Sequence, residues 1–115
     1  MTNPGLNFSH LAEQAAHLQQ VRKTDLTSGD RVIVKTRNST YCVHVVGDGW
    51  YLVSGGWFDR KGLAPLKTTI SGCTLGGSAI KCDIIAACGL HIEFGNRVLT
   101  SEIERIYVFR GPVAN

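Results

Sequence analysis

From position 31 onward, apolar and polar residues alternate in short runs with a period of two, the pattern of half-buried strands. In 31–36, Val32 and Val34 share one face and Ile33 takes the other. In 40–46, Tyr41, Val43 and Val45 alternate against Cys42, His44 and Val46. In 50–53, Trp50 and Leu52 oppose Tyr51 and Val53. Arg37-Asn38-Ser39 and Gly47-Asp48-Gly49 separate these runs, and both supply residues that tolerate tight turns. The spacing predicts a three-strand antiparallel meander over 30–56. Both faces of the meander carry apolar residues, which predicts one face in a core and the other covered in part, with an N-terminal helix as the candidate cover.

Downstream of Gly55-Gly56, the stretch 57–66 (WFDRKGLAPL) is irregular. Alternation resumes over 67–74, and Gly76-Gly77-Ser78 reads as a turn. The stretch 79–89 (AIKCDIIAACG) fits a strand followed by a helical turn, or a bulged strand; period does not decide between them. Leu90, Ile92 and Phe94 alternate with His91 and Glu93 as a strand, and Gly95-Asn96 is a turn. Thr100 to Ile103 reads as a 3₁₀ or helical turn before a last strand over 104–110, with Ile106 and Val108 inward.

Upstream, Leu11, Ala15, Leu18 and Val21 fall at helical spacing. They predict a helix over 9–23 that starts near Ser9, without a capping box, and ends with Arg22 and Lys23 at its negative pole. The expected organisation is a flexible lead (1–8), the helix (9–23), one β domain (29–110) and a tail (111–115). About six or seven short strands in one domain suit a small, strongly bent antiparallel barrel better than a sandwich.

Composition narrows the classes. The 115 residues fit one domain, and 43% apolar content excludes global disorder. The formal charge of +3 permits a nucleic-acid partner without requiring one. The opening MTNPGLNFSHLAEQ lacks the basic start and apolar run of a secretory signal, and no apolar stretch approaches the ~18 residues of a membrane span. A cytoplasmic location is the expectation, with no membrane partner. The four cysteines are then expected as reduced thiols.

Two resemblances follow from the motifs. GDRVIV, followed by a hairpin and a third strand, resembles the opening of SH3-like barrels, and TSEIERIYV resembles their close, a 3₁₀ turn before a final strand. The resemblance spans 29–110 and implies the fold alone, since such barrels host many unrelated tasks. The aromatic ladder of polyproline-binding members is not evident. The spaced set NSTY, VSGG, GCTLGGS and TSEIERI also resembles a pattern in small uncharacterised bacterial proteins, and implies no activity.

Candidate chemistry is sparse. GCTLGGS (72–78) has the glycines of a phosphate loop but no following Lys and no long helix, so it reads as strand–turn–strand. Cys42, Cys73, Cys82 and Cys88 with His44 and His91 include metal-ligand types but no CxxC pair, so no metal and no cofactor are expected. His10, Glu13 and His17 share one face of the expected helix and read as its solvated side. Cys88 with His91 offers a thiol and a base, set in the small apolar run Ala86 to Leu90.

Trp57, Phe58, Arg60 and Lys61 combine flat aromatics with cations. They suit stacking on a flat ligand, or a loop folded over an open end of the barrel. With Asn38 and Ser39 at the first hairpin tip, they are the candidate ligand-binding residues; no catalytic residue is assigned. The expected function is a small cytosolic binding or interaction module, with a protein partner or a second copy of the chain. Nucleic-acid binding through the Trp57 to Lys61 loop is the alternative, and thiol chemistry around Cys88 a weaker one.

Overall fold

Val32, Val34, Val43 and Val53, the inward positions of the meander, are wholly buried. They lie on three of the strands in the computed structural model, which describes residues 16–76 and 79–111. In chain order these strands are β1 (Ala16–Leu18), β2 (Gln20–Arg22), β3 (Arg31–Thr36), β4 (Thr40–Gly47), β5 (Trp50–Gly55), β6 (Leu66–Thr68), β7 (Ile70–Thr74), β8 (Ile80–Lys81), β9 (Ile84–Ala87), β10 (His91–Phe94) and β11 (Ile103–Phe109). A 3₁₀ turn spans Lys23–Asp25, and one helical turn, α1, spans Gly56–Arg60.

The meander forms as expected, and its register sets Val34 opposite Tyr41 and Val43 opposite Val53. Its second turn places Asp48 and Gly49 at positive φ, 55° and 82°. Two consecutive positive-φ residues match the twist of the strands that the turn joins.

Among the described residues there are three open sheets, and none closes into a barrel. The six-stranded sheet runs β1-β11-β3-β4-β5-β6, the three-stranded sheet β10-β7-β8, and the two-stranded sheet β2-β9. The expectation of an SH3-like barrel is therefore corrected to a mostly-β domain of open sheets. The physical reason lies in the second half of the chain. After β6 the chain leaves the large sheet at Thr69 and builds a separate sheet, whose Ile70, Cys73, Ile92 and Phe94 are buried. These residues join the inward row of β3, β4 and β5 in one buried cluster. A second layer thus covers the apolar face, so the first sheet need not curl round on itself.

The N-terminal helix is also corrected. Positions 9–15 lie outside the described residues, but 16–22 are strand. Leu18 pairs with Ile106 of β11 and Val21 with Ala86 of β9. A bend at Gln19 passes the chain from one sheet to the next. That bend breaks the period of two, so residues three apart both face inward and imitate a helical stripe. β1 also covers what would be the open backbone edge of β11.

Three smaller points differ or resolve. Residues 100–102 run without a 3₁₀ turn into β11. The stretch 79–89 becomes two short strands on different sheets, joined by a turn at Cys82-Asp83. The outer face of the meander is not sealed. Ile33, Cys42 and Leu52 are half-buried, while Arg31, Thr40 and His44 are exposed. No helix among the described residues is long and apolar enough to cross a membrane.

Candidate functional site

Gly55 and Gly56 create the corner that carries the predicted site. Their φ values are 93° and 46°, a region that side-chain-bearing residues avoid. A Cβ on Gly55 would collide with the Thr40 carbonyl oxygen, and one on Gly56 with the Tyr41 ring. The two glycines let β5 turn into α1 directly against the start of β4. The Gly55 N–H donates to Asp59 Oδ1 at 2.9 Å, which ties the start of the turn to its own fourth residue.

α1 divides the predicted residues. Phe58 points inward and is wholly buried. Its ring meets Phe94 edge-on, with centroids 4.9 Å apart at 90°, and Trp57 at 5.2 Å and 86°. These are preferred aromatic geometries, and they leave Phe58 no face for a ligand. Trp57 is half-buried against the core. Arg60 and Lys61 are exposed. The sequence pattern grouped all four; the single helical turn sends the aromatics to one side and the cations to the other.

The first hairpin tip stands beside these cations. Arg60 Nη1 donates to Ser39 Oγ at 3.3 Å, across 21 positions of sequence. Asn38 is exposed, and its backbone N–H donates to Ser101 Oγ at 3.0 Å. Ser101 Oγ donates in turn to Thr36 Oγ1 at 2.7 Å. Thr36 Oγ1 donates to the Ser39 carbonyl oxygen at 3.0 Å and accepts from the Ser39 N–H at 3.1 Å. The Arg37 N–H donates to the Glu102 carbonyl oxygen at 2.8 Å. The tip is thus locked by hydroxyl groups from two distant segments. Thr36, Ser101 and Arg37 were missed in the sequence reading. The clustered hydroxyls of NST and TSE are the signal that was available, because Ser and Thr bridge turn backbones.

The surface so formed carries three exposed cations, Arg37, Arg60 and Lys61, with Glu102 also exposed and Asp59 turned to the Gly55 amide. It offers charge and hydrogen-bond donors on a fixed frame. The stacking half of the predicted chemistry reduces to the accessible part of Trp57.

The other candidates lie elsewhere. Cys88 Sγ donates to the Glu104 carbonyl oxygen at 3.5 Å, and burial pushes its thiol pKa up, opposite to the need of a nucleophile. His91 Nδ1 stands 2.8 Å from the Thr100 carbonyl oxygen, a geometry that puts a proton on Nδ1. All four cysteines are free thiols. Cys73 is buried, donates to the Ile85 carbonyl oxygen at 3.2 Å, and burial pushes it up to about 11. Burial also pushes Cys42 up, offset in part by Arg31. Among the described residues, no three His, Cys, Asp or Glu side chains gather where a metal ion could sit. The described part of GCTLGGS belongs to a β7–β8 hairpin in which Cys73 faces Lys81; positions 77 and 78 lie outside the described residues. His10 and Glu13 also lie outside them, and His17 is a backbone partner of Tyr107 in β1.

No protein-family model, no curated protein and no solved structure matches this chain. The likeness of GDRVIV and TSEIERIYV to SH3-like barrels, and of the spaced NSTY, VSGG, GCTLGGS and TSEIERI set to a bacterial pattern, therefore stands without a structural counterpart. The sheets themselves are open.

Proposed function

We propose that this chain is a small, non-enzymatic, cytosolic binding module whose contact surface is the corner between α1 and the β3–β4 tip, and that it takes an acidic protein surface. The observation that carries the reading is the contact of Arg60 with Ser39. Two segments far apart in sequence meet on a frame held by Gly55, Gly56, Thr36 and Ser101. The exposed cations supply the attraction, and fixed donors supply the register. Phe58 is part of the core, which favours an acidic protein partner over a stacked nucleic acid. Self-association is a second part of this reading. It draws on Val46 and Trp50, which are exposed on the meander; light scattering on the purified chain tests it.

Fluorescence anisotropy with an Asp/Glu-rich peptide and with a single-stranded oligonucleotide tests the main reading. The peptide is expected to bind, with affinity lost on Arg60→Glu and Lys61→Glu and lowered by salt. Tighter, strongly salt-dependent binding of the oligonucleotide would move the reading to nucleic acid. Binding of neither, or charge reversals without effect, would end it.

A further inference from the structure

At the opposite end of the β4–β5 hairpin from α1, the chain forms a cleft of about 440 Å³. One wall is the segment 23–28 and the other the 47–51 turn. Leu26, Val45 and Tyr51 give it an apolar floor, and each is at least nine-tenths buried. Trp50 stands at the mouth, 43% exposed, with Lys67 Nζ 5.3 Å from its ring centroid. Lys23 and Asp48 complete the rim.

The walls are fixed in place. The Gly29 N–H donates to the Val45 carbonyl oxygen at 2.9 Å, and Ser28 Oγ to the Val46 carbonyl oxygen at 2.7 Å. Asp30 accepts from the Thr27 N–H at 2.9 Å, the Gly111 N–H at 2.7 Å and Arg110 Nη1 at 3.0 Å. A preformed concave site with an apolar floor and few polar groups is the usual shape of a small-molecule pocket.

The polar group that points to a ligand is the Tyr51 hydroxyl. Tyr51 is 4% exposed and lines the cleft. Among the described residues none bonds its hydroxyl, whereas every fully sealed polar side-chain atom there has a partner. The phenol therefore opens on the cleft with its donor unused. The charged side chains that line the cleft are Lys23 and Asp48, and Lys23 is the cation within reach of a ligand held there. Burial keeps the phenol in its neutral, donating form.

We propose that this cleft binds a small organic anion, an aromatic or branched aliphatic carboxylate. The apolar body packs on Leu26, Val45 and the Trp50 ring. The carboxylate accepts from the Tyr51 hydroxyl and pairs with the Lys23 ammonium. The site is independent of the α1 corner.

Titration of the ¹⁵N-labelled chain with phenylacetate, followed by NMR, tests the proposal. Saturable shifts confined to 23–28 and 47–51 are expected. Tyr51→Phe, which removes only an unbonded hydroxyl, is expected to weaken binding about 3- to 10-fold, and Lys23→Gln by a similar factor. The neutral analogue phenylacetamide is expected to bind at least about 3-fold more weakly than phenylacetate. Arg60→Glu is expected to leave the titration unchanged. No saturable shift up to about 10 mM phenylacetate, a range that covers even a weak millimolar site, would overturn the proposal. Equal binding by the folded Tyr51→Phe and Lys23→Gln proteins would also overturn it.

Discussion

The two ends of the β4–β5 hairpin place their aromatics in opposite ways. At the α1 end, Phe58 is sealed in the core and the neighbouring cations face water. At the turn end, Trp50 stands half in water while its neighbour Tyr51, on the other face of β5, is buried. In sequence, WFDRK looks like the ligand platform and DGWY like an ordinary hairpin turn. The structure buries one aromatic of the first segment and exposes one of the second, because burial depends on what lies opposite. Phe58 faces Phe94 and Tyr41 from other strands. Trp50 sits where β4 and β5 run past the edge of their cover.

The comparison is broken most severely by Phe58→Ala. Loss of a sealed ring is expected to cost about 3–5 kcal/mol in urea unfolding, against about 1 kcal/mol or less for Trp50→Ala. Similar losses at the two positions would mean that the ends do not differ as described.

Asp30 comes next, because it anchors the cleft wall. Burial pushes its carboxyl up, but the Gly111 and Thr27 amides and the Arg110 guanidinium outweigh that and hold it below the usual carboxylate range. Such a group stabilises the fold above its unfolded pKa, near 3.9, and its contribution is lost as pH falls through the lower native value. Asp30→Asn is expected to cost about 1–3 kcal/mol at pH 7. The gap between parent and variant should close as pH drops below about 4. A gap that stays constant on acidification would remove the carboxylate from the account.

The turns give a finer contrast. Gly56→Ala drives a Cβ into the Tyr41 ring at positive φ, whereas Gly49 has open space around it. Gly56→Ala is expected to cost about 2 kcal/mol or more and Gly49→Ala about 1 kcal/mol, both read from thermal unfolding. Equal costs would mean that the ring moves aside without penalty.

Smallest is Lys67→Ala, which removes the cation over Trp50. It is expected to change stability by about 0.5 kcal/mol or less, and to shift Trp50 emission measurably. An unchanged spectrum would show that the contact does not persist in solution.

Much of the first half of this fold was legible in the residues. Val32, Val34, Tyr41, Val43, Val45 and Val53 alternate so cleanly, between turns built of Asn, Asp and Gly, that the meander and its inward face follow from local chemistry. The last strand and its inward Ile106 and Val108 follow for the same reason. The site was legible only in part. The convergence of Arg60 on Ser39 needs the Gly55-Gly56 corner, whose direction depends on Thr40 and Tyr41 across the sheet.

Local alternation, turn residues and the mostly-β class come from interactions within a few positions of each other, so the chain carries them in plain order. Whether the sheet closes, whether 16–22 coils or pairs, and which aromatic meets water all depend on partners far away in sequence. Leu18 becomes strand because β11 has an edge to cover, and the large sheet stays open because Ile92 and Phe94 arrive from another sheet to bury its inner face. Burial and pairing are settled by whichever surface is presented opposite, and the spacing of residues along the chain does not name that surface.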